Sequence, residues 1–190
     1  MAVQTATDKS GKVWVVYKTE VISKTPVTVK KMVLVPGASG HGGYFSYYNE
    51  GELITTGYPN TGSLTFAAAT DDSDDNHLIT DAGSTGIFHN AVVGDVVHID
   101  TSSTGNNKGK FVITSRTDEN VVCVADVAGE ITNETATACR IWIYKGHPFV
   151  RMYPASTEVV EIDFGDGYSL PSLVCNASSH ASNYWYIYTV

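Results

Sequence analysis

The sequence has 190 residues, of which 43% are hydrophobic and 17% charged, values typical of a globular chain that can bury a core as one ordinary domain or two small ones. The formal net charge is -8, so neutralisation of phosphates adds no affinity and we expect no nucleic-acid partner. No apolar run approaches the roughly 20 residues of a membrane-spanning helix, and the amino-terminal residues lack the basic and apolar segments of a signal peptide. We therefore expect no membrane partner.

The three cysteines are Cys123, Cys139 and Cys175. Their number is odd, their spacings are wide, and none belongs to a Cys-x-x-Cys or Cys/His metal pattern. They are predicted to be reduced residues of strands or core, as in a protein made in a reducing cytoplasm.

Short strands are predicted from the start of the chain. Residues 1–11 are polar and predict a loose amino-terminal arm, and a β-rich stretch follows from Val13. Between Val27 and Val35 the alternation of apolar residues has one irregularity, at Lys30 and Lys31, which predicts a strand with a bulge or a break. Tyr44–Tyr48 and Glu52–Thr56, separated by Asn49-Glu-Gly51, are predicted to form a hairpin.

The middle of the chain differs from its start in composition and in the pattern of apolar residues. Residues 59–62 predict a turn, and residues 67–76 are small and acidic. A second β-rich unit begins at Leu78, and its clearest strands are predicted within residues 92–100, 111–114, 121–125 and 139–144. Strands like those at the start of the chain are predicted at Phe149–Tyr153 and Glu158–Phe164. A predicted Asp-Gly turn at Gly165–Gly167 follows, and the last predicted strand is aromatic and extends from Tyr184 to Val190.

The spacing of apolar residues predicts no helix, because no window repeats at i, i+3, i+4 and i+7 over three turns. Short strands with frequent turns predict an all-β protein. We expect a jelly-roll-like β-sandwich formed by residues 12–62 plus 146–190, interrupted by an inserted small β-barrel-like domain at residues 63–145.

Aromatic residues are concentrated in two of the predicted strands. In the last strand both faces are large and apolar, so it is either buried on both sides or covered by another subunit on one. Tyr and Trp are frequent at protein interfaces because they bury area and keep a polar end. The predicted interface residues are Tyr44, Tyr47, Tyr48, Tyr184, Trp185, Tyr186 and Tyr188. A core role and an aromatic platform for sugars remain the alternatives.

Motifs for catalysis, cofactors and metals are missing from the sequence. No Gly-x-Ser-x-Gly elbow occurs, the six histidines lack metal-binding spacing, and the acidic run 71–76 does not follow the calcium-loop pattern. Glu158, Glu161, Asp163 and Asp166 are interpreted as a hydrated strand edge. We therefore predict no catalytic, cofactor-binding or metal-binding residues and no cofactor.

Two parts of the chain resemble bacteriophage virion proteins. A small β module of phage head and tail proteins is resembled by Phe88-His-Asn-Ala-Val-Val-Gly-Asp-Val-Val-His-Ile99, the glycine-rich loop after it, Gly109-Lys-Phe-Val-Ile-Thr-Ser115 and Thr117-Asp-Glu-Asn-Val-Val-Cys-Val124. The flanking segments Val29-Lys-Lys-Met-Val-Leu-Val-Pro-Gly-Ala38 and Val160-Glu-Ile-Asp-Phe-Gly-Asp-Gly-Tyr168 are similar to the β-sandwich of capsid decoration (cement) or head-accessory proteins.

The resemblance implies a non-enzymatic structural protein of the virion, made in the host cytoplasm. It implies binding to the major capsid protein or other virion proteins, and a homo-oligomer for which a trimer is the expectation. The alternative function is a tail or receptor-binding protein that recognises carbohydrate. A hydrolase of unrecognised type is a third reading, which predicts a pocket where His, an acidic residue and Ser converge.

Overall fold

A computed structural model describes the backbone of most of the chain. The described residues are 6–8, 11–17, 19–37, 42–59, 64–69, 77–101, 107–125, 131–136, 139–154, 156–177 and 183–190. They form fifteen strands, β1 to β15, and no helix, which confirms the predicted all-β class. Accordingly, no helix in these ranges is a candidate for crossing a membrane.

The chain divides into two compact units. Unit 1 comprises residues 1–47 and 148–190, and unit 2 comprises residues 48–147. Strands β5 (Gly43–Pro59) and β12 (Arg140–Met152) each have residues in both units. The division therefore falls inside two strands, whereas the sequence analysis places the domain boundaries in turns, at 62/63 and 145/146.

Unit 1 contains two antiparallel layers. The first is a sheet in the order β1-β2-β15-β4-β13, formed by Ala6–Asp8 (β1), Gly11–Val16 (β2), Tyr184–Thr189 (β15), Val27–Val35 (β4) and Val160–Leu170 (β13). In the second layer, Leu173–Ala177 (β14) pairs with Glu20–Ser23 (β3) on one side and with the start of β5 on the other.

The core of unit 1 lies between these layers, and alternation along β15 shows how the sequence produces it. Trp185 and Ile187 are fully buried, while Tyr184 and Tyr188 are exposed. The Trp185 ring meets Phe45 of β5 edge to face, with 4.8 Å between ring centroids and an angle of 83°. Contact between side chains of the two layers makes unit 1 a β-sandwich, as predicted.

The predicted irregularity in β4 is a bulge at Lys30. Neither neighbouring strand has a residue opposite Lys30. On β15, the consecutive residues Tyr188 and Thr189 pair with Lys31 and Val29. On β13, Lys31 pairs with Asp163 and Val29 pairs with Tyr168. The extra residues of β13 between these partners include Gly165 (φ 60°) and Gly167 (φ 103°), and the Lys30 ammonium donates a 2.5 Å hydrogen bond to the Asp166 carbonyl. The predicted turn at Gly165–Gly167 is therefore a bulge within one strand.

Two further expectations are corrected. The predicted hairpin at residues 44–56 is the single strand β5, because Gly51 does not adopt positive φ and the Asn49 side chain bonds the Gly51 N–H (3.0 Å) without reversing the chain. In the predicted loose arm, Ala6–Asp8 form β1 by pairing with β2, since an edge strand needs only backbone hydrogen bonds and no apolar alternation. Residues 1–5, 9 and 10 of the arm lie outside the described residues.

Unit 2 is one antiparallel sheet that curls around its own core like half a barrel. Its order is β11-β6-β7-β10-β9-β8-β12-β5. The strands not yet introduced are Leu64–Ala67 (β6), His77–Asp81 (β7), Val96–Thr101 (β8), Gly109–Arg116 (β9), Val121–Ala125 (β10) and Glu134–Ala136 (β11). Its core takes alternate residues of these strands, such as Ile141 and Ile143 of β12, together with Ile87 and Phe88 of the β7–β8 connection.

A buried carboxylate fixes the turn that precedes β8. Asp95 is 1% exposed, and its two oxygens accept the backbone N–H groups of Val92 (2.8 Å) and Gly146 (2.9 Å). Burial raises the pKa of Asp95, although these hydrogen bonds and the nearby Lys145 and His147 act in the opposite direction. Both carboxylate oxygens of Asp95 therefore accept backbone hydrogen bonds that hold the turn against β12.

Replacing Asp95 with Asn should destabilise the protein by about 1–3 kcal/mol, because the amide nitrogen cannot accept the second N–H. The pH dependence has a definite sign. Since the folded pKa lies above the ordinary value of 3.8, the folded state binds the proton more tightly than the unfolded state does. The stability that Asp95 contributes is therefore largest below pH 3.8 and is lost as pH rises through the raised folded pKa.

Urea denaturation of both proteins between about pH 3 and pH 7 measures this difference. The stability advantage of the parent over Asp95→Asn should shrink as pH rises. Asp100→Asn, at a carboxylate that is 47% exposed, is the matched control for the loss of one negative charge. An advantage that grows with pH would contradict the assignment of burial as the dominant influence on Asp95.

Candidate interaction surface

The outer face of the five-stranded sheet in unit 1 is composed mainly of tyrosine and valine. We call it the Tyr/Val face. Its members point away from the core and come from three adjacent strands and the residue after β2: Val13, Val15, Tyr17, Lys31, Val33, Val35, Tyr184, Tyr186 and Tyr188. Tyr184 is 43% exposed, Tyr188 38% and Val35 36%, and the others are partly buried. Most sheet faces in contact with water carry polar residues at these positions.

Strand pairing places the members of the Tyr/Val face in rows. Tyr186 lies at the centre, opposite Val15 of β2 and Val33 of β4. Tyr184 pairs with Val35 and lies 6.3 Å from the Tyr17 ring, centroid to centroid. The result is a continuous uncharged strip across three strands, of the aromatic character common in protein interfaces.

Among the described side chains, the charges at the Tyr/Val face are those of Lys31 on β4 and of the neighbouring strand β13. The Lys31 ammonium lies 2.7 Å from a carboxylate oxygen of Glu161 on β13 and 5.8 Å from the centroid of the Tyr188 ring. The hydrogen bond to Glu161 raises the pKa of Lys31, although desolvation acts in the opposite direction. Asp163 continues the same row of β13 and accepts the Gly165 N–H. The face is therefore neutral at its centre and acidic at the β13 margin.

The structure brings together some of the predicted interface residues and separates others. Tyr184, Tyr186 and Tyr188 share the Tyr/Val face. Trp185 is fully buried on the opposite side of the same strand, and Tyr48 is 1% exposed. Because neither side chain is available to a partner, the interface prediction does not extend to these two residues.

The remaining two predicted residues lie on β5. Tyr47 is partly buried and packs against the core of unit 1. Tyr44 is partly buried, with the Arg151 guanidinium 5.7 Å from the centroid of its ring. Neither residue belongs to the Tyr/Val face.

Sequence reasoning did not include the valines and Tyr17 in the surface. The signal was present, because Val13, Val15 and Tyr17 alternate with Trp14 and Val16, and Val33 and Val35 alternate with Met32 and Leu34. What alternation along single strands cannot reveal is that β2 and β4 pair with β15 on either side. The surface exists only through that pairing.

Unit 2 carries a second aromatic cluster on the side of the sheet opposite its core. Tyr48 and Tyr144 stack at 5.5 Å, His98 stacks on Tyr144 at 6.0 Å and on Trp142 at 5.2 Å. The Arg140 guanidinium lies 5.9 Å from the Trp142 ring. The rings of this cluster therefore stack on one another, with a cation at the Trp142 end.

The Lys110 ammonium lies over the two tyrosine rings of this aromatic cluster. Its ammonium lies 5.0 Å from the Tyr48 ring and 5.7 Å from the Tyr144 ring, and it forms an ion pair with Glu50. Burial favours the neutral amine, but hydrogen bonds to Glu50 and Tyr48 outweigh it and raise the pKa of Lys110. A lysine held in the charged form is a structural cation and a poor nucleophile.

The histidines are placed separately. His89 and His147 each contact a carboxylate, Glu119 at 3.2 Å and Glu52 at 2.7 Å. His77 is 8% exposed and accepts the Ala69 N–H. His41, His180 and the acidic run at 71–76 lie outside the described residues. Within the described ranges no group of three or more His, Cys, Asp and Glu side chains is arranged to hold a metal ion.

The cysteines are free thiols. Cys139 and Cys175 are 1% and 0% exposed, and burial, with a smaller effect of Glu134, raises the pKa of Cys139 to about 12. A thiol with this pKa is protonated at neutral pH and does not act as a nucleophile.

Comparison of the chain with protein-family models, with curated proteins and with solved structures found no match.

Proposed function

We propose that this chain is a non-enzymatic structural protein of a bacteriophage virion that acts by docking on other virion proteins, as a capsid decoration protein does. The observation that carries the proposal is the Tyr/Val face. It displays four tyrosines and four valines on the outer side of one sheet. A face of this composition loses apolar contact with water when a partner covers it.

Both edges of the unit 1 sheet have features that disfavour pairing with another strand, which leaves the Tyr/Val face as the surface for a partner. Outermost strand β1 has only three residues. At the other edge, β13 contains the bulge around Gly165 and Gly167 and carries Glu161, Asp163 and Asp166. Short strands, bulges and charges are the features that prevent edge-to-edge pairing. Docking through the Tyr/Val face avoids these protected edges.

Low charge on the docking surface suits assembly into a lattice. The Lys31–Glu161 pair neutralises the cation among the residues that define the Tyr/Val face, so few charges of this set must lose water when the face is covered. A weak contact is sufficient where many copies bind one surface together, because multivalency multiplies weak affinities.

The test is incorporation into particles. Particles released from cells that carry the gene are purified on a density gradient and analysed by quantitative mass spectrometry. The parent chain should be present in a fixed ratio to the main head or tail protein. The double variant Tyr184→Asp/Tyr188→Asp, which changes two exposed residues of the face, should be depleted by about tenfold or more.

The matched control is Tyr153→Asp/Val93→Asp. These residues are 55% and 54% exposed and belong to none of the three strands that form the Tyr/Val face, so incorporation should be unchanged. Absence of the folded parent chain from purified particles would refute the proposal. Particles that incorporate the face variant normally but no longer adsorb to host glycans would favour the carbohydrate-binding alternative.

A further inference from the structure

We infer that Asp166 is a site of spontaneous backbone modification, at which the aspartate converts to isoaspartate through a cyclic succinimide. The inference concerns the bulge of β13 and is independent of the proposed function. Asp166-Gly167 is the single Asp-Gly pair of the sequence, and no Asn-Gly pair occurs. Three features of the structure favour the reaction at this position: an exposed carboxylate, a backbone outside the strand pairing and a cation on the reacting peptide group.

The reaction joins two atoms that are close along the chain. The nitrogen of Gly167, after loss of its proton, attacks Cγ of the protonated Asp166 side chain. A five-membered ring forms, and water leaves, made from the carboxyl hydroxyl and a proton. Water then opens the ring. Opening at Cγ restores aspartate, whereas opening at the main-chain carbonyl leaves the chain linked through Cβ and Cγ, as isoaspartate with a free α-carboxylate. One water is released and one consumed, so the product is an isomer.

The carboxylate of Asp166 is available for this reaction. Asp166 is exposed, and among the described residues its side-chain oxygens have no hydrogen-bond or ion-pair partner. Other aspartates are held in place, since Asp163 accepts the Gly165 N–H at 2.8 Å and Asp95 accepts two backbone N–H groups. The glycine that follows Asp166 has no side chain to hinder the approach of Cγ to its nitrogen.

The bulge leaves the backbone at Asp166 outside the strand pairing. Residues 164–167 lie between Asp163 and Tyr168, whose partners on β4 are separated by the single residue Lys30. The hydrogen-bond ladder therefore does not fix these residues as it fixes a paired strand. Isoaspartate adds one atom, Cβ, to the main chain. A segment that already has extra residues can accept this atom without a shift of the pairs on either side, so the product should remain folded.

The cation on the reacting peptide group is Lys30. Its ammonium donates a 2.5 Å hydrogen bond to the carbonyl oxygen of Asp166, and this carbonyl belongs to the peptide group whose nitrogen attacks. Loss of the proton from that nitrogen places negative charge on the carbonyl oxygen, and a charge-assisted hydrogen bond stabilises this charge. Lys30 therefore favours the form of the peptide group that is nucleophilic.

Incubation of the whole folded chain in water enriched in the heavy oxygen isotope tests the inference. Each opening of the ring leaves one heavy oxygen atom on the residue. Proteolysis and fragment mass spectrometry locate the label, and electron-transfer fragmentation distinguishes isoaspartate from aspartate. Over weeks we expect label and isoaspartate to accumulate at Asp166, with no detectable label at Asp163 or Asp95 in the same sample.

Two variants test the chemistry. Asp166→Glu keeps the charge but requires a six-membered ring, which forms far more slowly, so the label at this position should be lost. Lys30→Gln keeps a hydrogen-bond donor and removes the charge. It should slow labelling of Asp166 at least about threefold, because a charge-assisted hydrogen bond is roughly twice as strong as a neutral one. Circular dichroism verifies that both variants fold.

The contrary outcomes are equally definite. Absence of label at Asp166, or equal label at Asp163 and Asp95, would overturn the inference. Label that appears only when the chain is unfolded in urea would show that the bulge holds the backbone against ring closure. A labelling rate that is unchanged in Lys30→Gln would contradict the assistance by the ammonium. None of these results depends on whether the chain is found in particles.

Discussion

Replacing Trp185 with Ala should destabilise the protein by about 3–5 kcal/mol, the largest effect expected for any single side chain of unit 1. Trp185 is fully buried, contacts Phe45 across the sandwich, and lies between Val16 and Leu34 of the neighbouring strands. Its removal leaves a cavity between two layers that β-sheet hydrogen bonds prevent from closing. Urea denaturation followed by far-UV circular dichroism measures the change.

The neighbouring residue provides the control. Tyr184→Ala removes an aromatic side chain that is 43% exposed on the opposite side of β15, and it should cost less than about 1 kcal/mol. Trp185→Phe separates packing from hydrogen bonding. The indole N–H has no hydrogen-bond partner among the described residues, so Phe loses volume but no hydrogen bond and should be intermediate. Equal losses for Trp185→Ala and Tyr184→Ala would contradict the assignment of the two faces.

Gly146→Ala should cost about 3 kcal/mol, because the new methyl group has no space. A Cβ built at Gly146 would lie 2.1 Å from the carbonyl oxygen of Gly94. The neighbouring atoms are backbone, and they are fixed, since the Gly146 N–H bonds Asp95 and the Gly94 N–H bonds the Ile113 carbonyl at 2.9 Å. Relief of the clash therefore requires a shift of β12 or of the turn before β8. Thermal and urea denaturation report the loss.

The control for this substitution is Gly51→Ala on strand β5. There the nearest heavy atom to a built Cβ is the Asn49 side-chain oxygen, at 3.5 Å. Glycine-to-alanine changes at unstrained open positions have small effects and can stabilise by about 0.4–1 kcal/mol. If Gly146→Ala is as stable as Gly51→Ala, the close approach of the two backbones in unit 2 is not present in solution.

The Tyr/Val face and the core of unit 1 are made by the same short segments. Tyr184, Tyr186 and Tyr188 alternate with Trp185 and Ile187, so the strand that forms the surface also anchors the sandwich. Substitutions at the exposed positions can therefore test association without opening the core. This separation of the two faces makes the particle experiment interpretable.

Much of the fold could be predicted from the sequence because β-structure leaves local signals. Alternation of apolar residues predicted β2, β4 and β15, and the break in alternation near Lys30 predicted the bulge that the structure confirms. The lack of helical periodicity predicted an all-β chain. Each of these properties depends only on residues that are neighbours along the chain.

Turn signals were less reliable for a physical reason. Asn49-Glu-Gly51 and Gly165-Asp-Gly167 have the composition of tight turns, yet the first lies inside β5 and the second forms a bulge of β13. Glycine and asparagine permit a reversal but do not require one. Pairing along the flanking residues keeps the chain in one strand, and that pairing depends on partners distant in sequence.

The sequence by itself determined that this protein is all-β and that Tyr184, Tyr186 and Tyr188 share one face of a strand. Tertiary structure alone decided that Trp185 and Tyr48 are buried, and that Val15 and Val33 flank Tyr186 to form a continuous surface. The physical reason is that alternation assigns a side chain to one of two faces, while burial depends on which strands and layers meet that face.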